Sequence, residues 1–87
     1  MILSKLWKGK KMKFSDAVSA CEYMGEKNPQ RLAWVEGPFI GALRVEYVKT
    51  HKAHIEAVES GDIARINATS FAYKTASNAL TDALHMY

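Results

Sequence analysis

The stretch IARINATSFAYKTASNALTDALHMY, residues 63–87, decides the fold. In it Ile66, Thr69, Tyr73, Ala76, Leu80, Ala83 and Tyr87 recur at alternating intervals of three and four. That interval keeps side chains on one side of an α-helix, and three heptads of it predict a helix whose seam faces another helix. A line of small residues, Ala72, Ala76, Ala79 and Ala83, overlaps the seam and lets a neighbouring backbone approach closely.

Immediately upstream, Gly61 suits a helix C-terminus and Asp62 suits the cap of the next helix. From Phe39 to Ser60 the pattern is again helical, with Ile40, Leu43, Tyr47 and Val58 on one side and Val48 and Ile55 beside them. Two long helices joined by two residues are expected to lie antiparallel. Further back, Asn28-Pro29 reads as a cap and a first helical position, and Gly37-Pro38 ends the short helix between them. An earlier helix is predicted from about Ser15, as cap, to Met24, with Gly25 as its stop and Val18, Cys21 and Met24 on one face. The fold class is therefore all-α: a long antiparallel αα-hairpin with one or two short N-terminal helices packed on it. The alternative is an α+β fold with a short hairpin around residues 31–48, since short apolar runs do not separate helix from strand.

The 87 residues form a single helical domain, 14–87, preceded by a basic arm, 1–13. Lys5, Lys8, Lys10, Lys11 and Lys13 fall in the arm, which has no acid; the remaining seven basic and nine acidic residues leave the body slightly negative. The overall charge of +3 thus describes an arm, not a basic protein. Met12-Lys13-Phe14 also reads as a natural chain start, from which the body is close to neutral. Twelve alanines against six leucines make the core thin, which points to a homo-oligomer that buries more surface between copies. The lone Cys21 fits a reducing, cytoplasmic setting, and no run reaches the length of a membrane span.

Candidate chemistry is sparse. His51 and His54 lie on one helical face without a third ligand, so no metal site is expected. Asp82 and His85 have no serine elbow or oxyanion loop to work with. There is no P-loop, dinucleotide fingerprint or helix-turn-helix signature, so no enzyme and no cofactor are expected. In being short, helical and free of catalytic residues, the chain resembles small phage-encoded accessory proteins, a likeness that implies sequestration of a nucleotide or a block on a host protein.

The surface is more informative. Phe71, Lys74 and Asn78 share the outer face of the last helix, an aromatic beside a cation and an amide. Arg44 sits inside an apolar sector and needs an acidic partner, a bound anion or a path to water. The leading expectation is a non-enzymatic, homo-oligomeric binding protein for an anionic ligand, a nucleotide or nucleic acid. Lys8, Lys10, Lys11, Lys13, Arg44, Phe71, Lys74 and Asn78 would carry the site. The alternative is a protein–protein interaction module that inhibits or adapts a larger partner, or engages an acidic protein surface. Trp7, Trp34 and Tyr73 would help to anchor it.

Overall fold

The computed structural model describes residues 13–86. Trp7, Lys8, Lys10, Lys11 and the seam residue Tyr87 lie outside the described residues. Three helices follow one another: α1 (Phe14–Tyr23), α2 (Pro29–Ser60) and α3 (Ile63–Met86). The described residues contain no strand, so 31–36 and 39–48 are helical and the α+β alternative falls. The chain divides into two compact units, one running to Val45 and the other from Glu46.

In the first unit α1 starts two residues earlier than its cap chemistry predicts. Lys13 is the flanking residue, its carbonyl accepting from Asp16 and Ala17 N–H, and no side chain caps the end. Ser15 lies within the first turn and does not serve as the cap. Starting at Phe14 places the ring edge-on against Trp34, 5.5 Å between centroids. The far end closes as a Schellman motif: Gly25 takes φ +76°, its N–H donates to Glu22, and the Glu26 N–H donates back to Cys21. Cys21, Ala17 and Ala33 form the core, with Phe14, Val18 and Leu32 packed around it.

α2 begins at Pro29, with the Asn28 carbonyl accepting from Leu32 N–H. It breaks at Gly37, whose φ of 85° and ψ of 179° belong to a region that only glycine populates comfortably. Pro38 then opens the second segment, where its missing N–H costs nothing. The Gly37-Pro38 pair therefore does end the short helix, and a new one continues to Ser60.

The second unit is the antiparallel hairpin. Gly61 takes φ +75°, and Asp62 caps α3 by accepting from Ala64 and Arg65 N–H at 3.1 and 3.3 Å. Tyr47 meets Tyr73 while His54 meets Thr69, so moving forward on one arm moves backward on the other. Every described position of the α3 seam is buried or half-buried, from Ile66 through Ala83. Of the alanine line, Ala76 and Ala83 are buried but Ala72 and Ala79 are exposed. Near the turn the apolar side of α2 thins out, leaving Ile55 and Val58 exposed.

Candidate functional site

Arg44 is the most constrained side chain of the first unit. It is 3% exposed, and its fork is filled. Nε donates to Glu36 Oε1 at 2.7 Å and Nη2 donates to Glu36 Oε2 at 2.9 Å, a two-point grip on one carboxylate. Nη2 also donates to Glu26 Oε2 at 2.9 Å, and Nη1 reaches Met24 Sδ at 3.4 Å. Hydrogen bonding to Glu36 holds the guanidinium above its ordinary pKa, against the desolvation that opposes it. Of the partners open to Arg44, the structure supplies acids from its own chain. The charge is already met, which removes Arg44 from the set offered to an anionic ligand.

Sequence reasoning missed Glu26 and Glu36, although both sit beside chain punctuation. Glu26 follows the glycine that closes α1, and Glu36 is the last residue before the break in α2. A polar residue next to such a stop is held by backbone geometry and aims its side chain where the neighbouring segment passes. Cys21 lies fully buried near this cluster, and burial pushes its thiol pKa up despite the opposing pull of Arg44.

The hairpin holds a second cluster. The Tyr47 and Tyr73 hydroxyls share a hydrogen bond of 2.9 Å, and the His51 and His54 rings lie 5.2 and 6.2 Å from the Tyr73 ring. The Thr69 hydroxyl donates to the Arg65 carbonyl at 2.7 Å. It therefore accepts from His54 Nδ1–H at 3.0 Å. His51 and His54 are half-buried seam residues. Among the described residues no three His, Cys, Asp or Glu side chains gather where an ion would sit. Tyr73 is thus used in closing the hairpin, and Trp34 in packing on Phe14.

The remaining candidates face water. Lys13 is exposed at the start of α1. Phe71 is 74% exposed, and Lys74 and Asn78 beside it are exposed as well. No described residue covers this ring well. Asp82, His85 and Met86 continue the same exposed side of α3. Val35 and Phe39, on either side of the Gly37 break, are exposed, as is Tyr23; sequence reasoning singled out none of these three large apolar residues of the first unit. No helix among the described residues is long and apolar enough to cross a membrane.

No protein-family model, no curated protein and no solved structure matches the chain.

Proposed function

We propose that the protein is a non-enzymatic helical interaction module that engages another protein through the outer face of α3. The observation that carries this is Phe71, a large aromatic 74% exposed on a helix whose opposite side is already filled by its hairpin partner. Aromatic residues are enriched at the centres of protein interfaces, where a polar rim surrounds them. Lys74, three residues on, and Asn78, seven residues on, supply a charge and an amide on the same face. The other aromatics proposed as anchors within the described residues, Trp34 and Tyr73, are occupied by packing inside their own units.

The test is a photo-cross-linking residue at position 71, with the same residue at exposed Glu59 as control. A discrete protein adduct from position 71 and none from 59 is expected. Equal adducts from both positions, or none from 71, would overturn the proposal.

A second reading is favoured by the charge distribution of the sequence. Five lysines and no acid in the first thirteen residues suit phosphates, with Lys8, Lys10, Lys11 and Lys13 as contacts and Lys74 in support. Arg44 has no part in it. Affinity for a single-stranded oligonucleotide that falls steeply with salt, and that disappears on deleting residues 1–11, would favour this reading over the first.

A further inference from the structure

The outer face of α3 is self-complementary. At about 100° per residue, Phe71, Lys74, Asn78, Asp82 and His85 fall within about 80° of arc. Their intervals run three, four, four, three, the same in both directions from Asn78. Lys74 lies four residues before Asn78 and Asp82 four after; Phe71 lies seven before and His85 seven after. The described ion pairs belong to Arg44, and neither Lys74 nor Asp82 takes part in one. Eight residues separate them, about 12 Å along the helix, so they do not pair within it.

From this charge pattern we infer that α3 docks on the α3 of a second copy of this chain, antiparallel, about a two-fold axis at Asn78. The inference rests on the reading of this face as a protein-docking surface and names its partner. A two-fold axis there sets each Lys74 opposite the other copy's Asp82, and each Phe71 opposite the other copy's His85, with Met86 at its edge. The two Asn78 amides meet on the axis, where each offers both a donor and an acceptor. A polar residue at the centre of a helix pair fixes its register. The antiparallel arrangement also sets the positive end of one helix beside the negative end of the other. A parallel arrangement in register would instead put lysine against lysine and aspartate against aspartate. The contact spans about 21 Å of helix, the fifteen residues 71–85, so the dimer is expected to be weak and reversible.

A charge exchange tests it by sedimentation equilibrium. Lys74→Asp and Asp82→Lys each replace two attractive cross-pairs by two repulsive ones, and each is expected to weaken the dimer about tenfold or more. The double variant restores opposite charges and is expected to return to within about threefold of wild type. Both positions are exposed, and helix content by circular dichroism checks that each variant remains folded. Wild type that is monomeric up to about 1 mM overturns the inference, as does a dimer indifferent to the single variants or one that the double variant fails to rescue. The position-71 cross-linker separates the two levels. An adduct with the mass of a second copy supports the inference. An adduct with a different protein leaves the docking surface standing and overturns the self-partner.

Discussion

Replacing Glu36 by alanine should be among the most damaging single changes to the first unit. Glu36 is 13% exposed and grips Arg44, which is 3% exposed, through two hydrogen bonds of 2.7 and 2.9 Å. Removing one partner of a buried pair costs about 3–5 kcal/mol, because the other charge stays behind without its counterpart. Here Glu26 remains, at 2.9 Å but 38% exposed, so water already screens much of its attraction. That residual pairing brings the expected cost of Glu36→Ala to about 3 kcal/mol. For a domain of this size it corresponds to a fall in melting temperature of about 12–24 °C. The assay is thermal and urea unfolding followed at 222 nm, completed as a cycle with Arg44→Met and the double variant. Arg44→Met retains much of the buried stem, so the double variant should recover about 2 kcal/mol relative to the summed singles. Glu26→Gln should cost about 1 kcal/mol or less. A melting temperature for Glu36→Ala within about 4 °C of wild type would refute the idea that this pair organises the unit.

Three further outcomes are expected. Burial holds the Cys21 thiol above its ordinary pKa, so the folded chain keeps a proton that the unfolded chain releases in mild alkali. The associated stability is complete below about pH 8.5 and is lost as pH rises through the folded value; Cys21→Ala should show a flatter urea midpoint from pH 7 to 9.5, and equal slopes would contradict this. Gly37→Ala forces a side chain into φ 85°, ψ 179°, and should destabilise by about 1–3 kcal/mol, seen as a lower melting temperature; an unchanged one would contradict the break. Tyr47→Phe removes one half of the 2.9 Å hydroxyl pair and should cost about 1 kcal/mol, with Tyr47→Phe/Tyr73→Phe costing less than the two singles added, as a double-mutant cycle in urea would show.

The parts of this fold that were legible in sequence are those written in local chemistry. The α3 seam repeats its interval over three heptads, and every described member of it is at least half-buried. Gly25, Gly61-Asp62 and Gly37-Pro38 each mark a backbone event that few other residues permit, and the structure places a helix end or break at each. Ser15 misled because cap preference is worth about 1 kcal/mol, and seating the Phe14 ring on Trp34 competes with it. The Arg44 cluster was legible only as a need. Its acids come from eight and eighteen residues away, and nothing local says that the end of α1 and the end of the short helix meet the same guanidinium. Phe71 was assigned to an outer face by periodicity alone. Whether something else covers an outward aromatic is a long-range question, and only the exposure answered it.

The two units treat their charges in opposite ways, and that contrast bears on function. Around Arg44 the chain gathers two carboxylates and a thioether from two segments, the end of α1 and the end of the short helix, so a buried cation is met from within. On α3 it sets Lys74 and Asp82 eight residues apart, out of each other's reach, and leaves Phe71 bare three residues before the lysine. A surface selected for solubility alone has no reason to arrange its charges symmetrically about one asparagine. Nor does helix stability supply one, because a Lys–Asp pair supports a helix at a separation of three or four, not eight. The spacing gains meaning when a second helix runs the other way, and then each charge, ring and amide meets a complement at once. A single feature of this kind would be coincidence on a short helix. Four positions paired by chemistry about a fifth make the charge-exchange experiment the sharpest question this molecule poses.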